Sequence, residues 1–131
     1  MRRSSLKPHP KAKAKAERTF HKYICMRDKY TCFTCGGVGN EAGHFKHNRL
    51  DFDEDNLHCQ CVRCNHFLSG NLGVYAIKLA RLHSLKWVED LTLRANTQSN
   101  KFSISELEEI TLKYKEKTNR LVCSDTKDLP F

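Results

Sequence analysis

The sequence predicts an α+β fold with a small hairpin core and a mainly helical C-terminal half. Three observations predict it. Two C-x-x-C pairs, Cys32/Cys35 and Cys61/Cys64, lie 26 residues apart, counted from Cys35 to Cys61. Short alternating stretches fill the interval between them. From Asn71 onward, apolar residues recur at the spacing of one helix face.

Taken in order, residues 1–13 read as a disordered basic arm. Two prolines sit in "MRRSSLKPHPK", and the composition is polar and charged. From about Ala14 to Asp28, Ala, Lys, Glu and Arg favour a helix, with Phe20, Tyr23, Ile24 and Arg27 on one face. "TCFTCGGVGN" then places a C-x-x-C before two glycines, a turn that aims backbone amides at thiolates. "HFKHNRLDF" and "NLHCQC" read as two short strands joined by the acidic loop Asp51–Asp55, itself a solvated turn. A short helix is expected from Cys61 to about Ser69. Asn71 is placed to cap the next helix, whose stripe is Leu72, Tyr75, Ala76, Leu79 and Leu82. Ser84 opens another, with Leu85, Val88 and Leu91 or Leu93 inward, before a polar loop at 95–101. "SISE" from Ser103 to Glu106 is a capping box for a last helix bearing Leu107, Ile110, Leu112 or Lys113, and Tyr114. Residues 123–131 read as a flexible tail, and 14–122 as one zinc-containing domain.

The zinc follows from the cysteines. Each C-x-x-C turn offers two thiolates, so four sulfurs can surround one Zn²⁺ tetrahedrally, and a knuckle, a hairpin and a helix bearing the second pair form a treble clef. Cys59 competes with Cys61 in "CQC", but Cys61 has Cys64 one helical turn away. Cys25 and Cys123 read as ordinary thiols. The seven cysteines are an odd number, and the basic N-terminus is not followed by the apolar run of a secretory signal, so metal in a reducing cytoplasm is expected rather than disulfides. With 39% hydrophobic residues the core is small, and metal binding supplies part of its stability. No apolar run reaches the ~20 residues of a membrane span.

Charge is concentrated at one end. Residues 1–22 carry eight Lys/Arg and one acid, a net +7, and the rest of the chain holds 15 basic and 14 acidic residues. An arm bearing Arg2, Arg3, Lys7, Lys11 and Lys13 suits a polyanion, most simply nucleic acid, with Lys46, Arg49 and Arg63 as further contacts.

A four-sulfur zinc is closed and performs no chemistry itself. His44, His47, Asn56, His58, Asn65 and His66 crowd beside it. On a treble clef, a histidine of the first strand faces an asparagine at the following helix start. That pair can hold one divalent cation beside an imidazole, which is what phosphodiester hydrolysis needs.

Several stretches carry a resemblance: "CFTCGG", "EAGHF", "DEDNLHCQCVRCNHFLSGN" and "VYAIKL", with a weaker match through "WVEDL" and "SISELEEITLKYKEKT". On these the chain resembles the NinG (Rap) recombination proteins of lambdoid bacteriophages, within the His-Asn-His endonuclease superfamily, over roughly Tyr23 to Arg120. The resemblance implies an endonuclease acting on branched or single-strand-containing recombination-intermediate DNA in the host bacterial cytoplasm. A structural Zn²⁺ and a catalytic Mg²⁺ or Mn²⁺ are implied, with a homodimer and phage or host recombination proteins as candidate partners. His44 takes the place of the general base, Asn56 of the asparagine that braces the loop and orients it, and Asn65 of the final metal-binding residue. Many superfamily members bind the metal with an Asp or His directly before the catalytic His, where this chain has Gly43. The second ligand then falls to His58, His47, Glu41 or an acid from Asp51–Asp55. The alternative reading is a non-catalytic zinc module that binds DNA in a recombination complex. A structural scaffold for that complex is the third.

Overall fold

The computed structural model of the chain describes residues 7–127, with side chains through residue 124. It is a mixed, mostly helical structure with one two-stranded sheet. The elements are α1 (Pro8–Arg27), β1 (Glu41–His44), β2 (Leu57–Gln60), a π-helical segment (Arg63–Phe67), α2 (Leu72–Leu82), α3 (Leu85–Thr97) and α4 (Ile104–Lys127). Two compact units are present: Ile24–Asn100, and a helical unit formed from the described parts of Met1–Tyr23 and Lys101–Phe131.

In the Ile24–Asn100 unit, β1 and β2 pair antiparallel in the register Glu41↔Gln60, Ala42↔Cys59, Gly43↔His58 and His44↔Leu57. Every residue of β2 is buried. Arg27 and Asp28 fasten that strand from outside the sheet. The Arg27 guanidinium donates to Leu57 O at 2.9 Å and to Glu54 O at 2.9 Å, and Asp28 Oδ2 accepts from Cys59 N at 2.8 Å. A separate apolar cluster joins Phe45, Leu50, Tyr75, Leu79, Leu91 and Ala95.

In the helical unit, α4 is opened by a reciprocal cap. Ser103 N donates to Glu106 Oε1 at 2.8 Å, and Glu106 N donates to Ser103 Oγ at 3.1 Å, satisfying two amides that the first turn would leave unpaired. Phe20 meets Tyr114 edge-on at 4.6 Å between ring centroids, and Tyr23 meets the same ring at 5.1 Å. Leu107, Thr111 and Thr118 continue the buried face of α4.

Several expectations are corrected. The first helix begins at Pro8, not near Ala14, so Lys11 and Lys13 are helical and Lys7 stands just before the first turn. Pro8 and Pro10 fall in the first turn, where an amide needs no intrahelical partner, so they start the helix rather than break it. Lys11 N already donates to Lys7 O at 3.1 Å. Arg2 and Arg3 lie outside the described residues. The first strand is Glu41–His44, and "FKHNRLDF" is loop, with Asn48 and Leu50 at φ 59° and 46°. α3 runs through Thr97 and buries Ala95 where a polar loop was expected, while Leu85 and Leu93 are exposed. Leu72 and Leu82 of the α2 stripe are exposed as well. α4 continues to Lys127, beyond the Cys123 at which a flexible tail was expected.

Among the described residues no helix is long and apolar enough to cross a membrane.

Candidate active site beside a four-cysteine centre

Cys32, Cys35, Cys61 and Cys64 bring their sulfurs within 4.8 Å of one another. Cys35 Sγ and Cys61 Sγ are 3.8 Å apart. A tetrahedron with Zn–S bonds of about 2.3 Å has edges of about 3.8 Å, so the donor set fits zinc. The turn geometry explains the convergence. Gly36 takes φ +82°, Gly36 N donates to Cys32 O at 2.9 Å, and Gly37 N points at Cys35 Sγ at 3.5 Å.

The electrostatics of Cys32 and Cys35 agree. Burial opposes ionisation of Cys32, but the Thr34 hydroxyl and nearby backbone amides outweigh it and bring that thiol down to about 6. The Gly37 amide favours a thiolate at Cys35, yet the neighbouring sulfurs, Cys32 foremost, push it up to about 11. Sulfurs this close cannot all ionise without a cation between them. Cys59 stands apart. It is buried in β2, pushed up to about 12 by burial and then by Cys25, and behaves as a core thiol.

His44 ends β1, with its side chain 23% exposed and Nε2 3.0 Å from Asp51 Oδ1. Asp51 is itself held, its backbone N donating to Asn100 Oδ1 at 2.9 Å. Fully buried Asn56 clamps the intervening loop. Its Oδ1 accepts from Lys46 N at 2.8 Å, and its Nδ2 donates to Arg49 O at 2.9 Å and to Lys46 O at 3.2 Å. A buried Leu50 at positive φ is costly for a side chain of that size, and this clamp offsets the cost.

A second group lies around Glu41. Asn65 Nδ2 donates to Glu41 Oε1 at 2.9 Å, and His66 Nε2 lies 2.8 Å from the same oxygen. Packing at Gly43 explains why no acid precedes His44. A Cβ there would stand 1.8 Å from Gln60 Oε1 and 3.0 Å from Asn65 Oδ1. The space that a ligand side chain would need is filled by Gln60.

His58 does not join either group. It is buried, packs against Phe33 with ring centroids 4.2 Å apart and the rings tilted by 30°, and has Nδ1 3.0 Å from the Tyr75 hydroxyl, which donates to Gly43 O at 2.8 Å. Burial, then the Arg27 charge, hold it down to about 4, so it is a neutral core histidine rather than a cation ligand. Asn71 is the N-cap residue of α2 as expected, but it lies in the left-handed region and its side chain makes no cap hydrogen bond; its amide points instead at Cys64 Sγ at 3.7 Å. The acidic loop is not a free turn: Asp51 pairs with His44, and Asp53 and Asp55 with Arg94 at 3.0 and 3.3 Å. Phe45 is in the core, whereas Phe67 is 80% exposed. His47, Arg49 and Arg63 are exposed and Lys46 half-buried. Gln60 is the residue that sequence reasoning missed; Asp51 is expected from sequence as a metal ligand and Tyr75 as core, and neither is foreseen as a partner of His44 or His58.

The model of the bacteriophage lambda NinG protein family matches residues 1–123 of the chain. Similar curated proteins include NinG of Escherichia phage 933W, 30% identical over 129 residues, covering 92% of this chain and 63% of that protein. NinG of Escherichia phage lambda is 30% identical over 129 residues, covering 92% and 62%. NinG of Salmonella phage P22 is 29% identical over 129 residues, covering 92% and 63%. The chain thus spans less than two thirds of the length of these relatives. No solved structure matches.

Proposed function

The chain belongs to the bacteriophage lambda NinG protein family, and from that premise we propose that it is a metal-dependent endonuclease that hydrolyses phosphodiester bonds in branched, recombination-intermediate DNA. The observation that carries the reading is His44. It is partly exposed at a strand end, paired with a carboxylate, and seated beside a clamped loop. With Nε2–H given to Asp51, Nδ1 is left as the basic nitrogen of the ring. Asp51 fixes the tautomer and stabilises the imidazolium that forms when Nδ1 takes a proton from water. The hydroxide so formed attacks phosphorus, and the 3′-oxygen leaves. Asn56 acts through the backbone, keeping the loop from carrying Asp51 away from the ring.

Glu41 and the amide oxygen of Asn65 offer the oxygen donors that suit Mg²⁺ or Mn²⁺. Bound there, the cation supplies charge stabilisation at the phosphate and at the leaving oxygen. The four-sulfur zinc centre supplies folding energy, and with the hairpin and the π-helical segment it is read as a treble clef.

One observation favours a second reading. Gln60 fills the ligand position at Gly43, and the Asn65 amide is already engaged by Glu41, which suits a non-catalytic zinc module that binds DNA. Cleavage of a labelled four-way junction by zinc-loaded protein, with and without Mg²⁺ or Mn²⁺, separates the two. The endonuclease reading expects cuts that require the added cation. Binding without cutting under every cation leaves the module.

A further inference from the structure

Thr118 poses a question that the hairpin does not answer. It sits on α4 at 8% exposure, and its Oγ1 is shielded from solvent without a hydrogen-bond partner. Other helical threonines bond back to the carbonyl four residues earlier: Thr19 to Lys15 O at 2.9 Å and Thr111 to Leu107 O at 3.0 Å. Thr118 does not. A buried hydroxyl left unpaired costs about 1–3 kcal/mol. The same threonine lines a groove of about 330 Å³ between α1 and α4, together with Arg18, Lys22, Lys115 and Asn119. Arg18, Lys22 and Lys115 are exposed, and none has an ion-pair partner among the described residues.

We propose that this groove of the helical unit is a non-catalytic phosphate site that seats the backbone of a nucleic acid, with the exposed Asn119 amide donating to phosphate oxygens and Arg18, Lys22 and Lys115 neutralising the charge, over a floor that includes Thr118. Two features point to a chain of phosphates rather than a single anion. Lys115 also lines a second groove, of about 510 Å³, whose rim bears Lys11 and Lys15. Lys11, Lys15, Arg18 and Lys22 recur at i, i+4, i+7 and i+11 on α1, a basic ridge about 16 Å long. That is roughly five steps of one duplex strand at 3.4 Å each. Among the described residues, Glu108 is the one acid lining either groove. The ridge also revises the role of the N-terminal charge: Lys11 belongs to a fixed helical surface that continues beyond the arm predicted from sequence.

The inference rests on reading the protein as one that handles nucleic acid, but not on its cutting it, so the test is made by binding alone. Fluorescence anisotropy of the zinc-loaded 131-residue chain on a duplex and on a four-way junction, without added divalent cation, is followed from low to high salt. Arg18→Ala/Lys22→Ala/Lys115→Ala should lower the log–log salt slope on duplex by roughly 0.9 for each phosphate no longer neutralised. At physiological salt it should weaken binding on the order of tenfold or more. All three side chains are exposed, so zinc content and Tm should stay at wild-type values. Thr118→Val should hold or raise Tm, because the shielded, unpaired hydroxyl is gone, and should leave the salt slope at the wild-type value. An unchanged slope in the triple variant overturns the proposal. So does an equal fall in a control of matched charge, Lys78→Ala/Arg81→Ala/Lys86→Ala. If inorganic phosphate raises Tm of the wild type but not of the triple variant, while the DNA slope is unchanged, the groove takes free phosphate and the nucleic-acid assignment is wrong. A protein that never cuts but shows the expected slope change leaves the proposal standing.

Discussion

β1 and β2 are four residues each, whereas α4 alone runs for 24. The two units that contain them are stabilised by different physics. A four-residue strand pair is too short to stand in water, and the Ile24–Asn100 unit fastens it with side chains aimed at backbone: Arg27, Asp28, Asn56, Gln60 and Tyr75. Four cysteines close the remaining loops. The helical unit needs little of this. Its backbone bonds are internal to long helices, its packing is aromatic, and its start is fixed by a local cap. A polar network holds a site to sub-ångström geometry but fails as a whole when one partner goes. A helix pair tolerates single deletions and leaves a long face free for charge.

The contrast is broken most sharply at the metal. Cys61→Ser should abolish stoichiometric zinc. Structural zinc contributes about 10–16 kcal/mol in small zinc peptides, so hydrogen-exchange protection of β1 and β2 should collapse. The amides of residues 107–118 should keep more of theirs. Equal collapse in both units would mean that the helical unit has no stability of its own.

A smaller effect comes from His58. Its neutral form is held in the fold, with the value lowered from 6.5 to about 4. The unfolded chain therefore binds the extra proton between those values. Stability is full above about pH 6.5 and falls as pH drops toward 4, by about 3 kcal/mol from this group. Acid also loosens zinc from thiolates, so the comparison is between slopes. Urea unfolding from pH 7 to 5 in excess zinc should show a shallower decline for His58→Phe than for the wild type, and parallel slopes would remove His58 as the cause.

How far the sequence led differs between the two regions for the same reasons. The cysteine spacing, the "SISE" cap and the helical stripes are local patterns, and the structure bears out the four-cysteine cluster, the cap at Ser103 and the burial of Tyr75, Leu79 and Leu107. The misses are tertiary. His58 stands among cysteines and reads as a ligand, but its surroundings are Phe33 and Tyr75, far apart in sequence. Asp51 reads as one acid in a wet turn, because nothing local announces a histidine seven residues earlier as its partner. Gly43 reads as a missing ligand, and only the packing of Gln60 explains it. Pro8 and Pro10 read as breakers because their meaning depends on where the helix starts.

The smallest effect belongs to the helical unit. Ser103→Ala removes one half of the cap on α4 and should cost about 1 kcal/mol, read as a modest fall in Tm with zinc content unchanged. A cost of several kcal/mol would show that the helical unit depends on single polar interactions as the hairpin does.

The central claim is that His44, oriented by Asp51, is the base of a hydrolytic site. The most direct measurement is the single-turnover cleavage rate of a four-way DNA junction in Mn²⁺ by His44→Ala against wild type, at matched zinc content and matched DNA affinity. Removing a positioned general base costs about 10²–10⁴ in rate, so His44→Ala should fall by that factor with binding unchanged. A His44→Ala protein that binds and cuts at the wild-type rate would contradict the assignment.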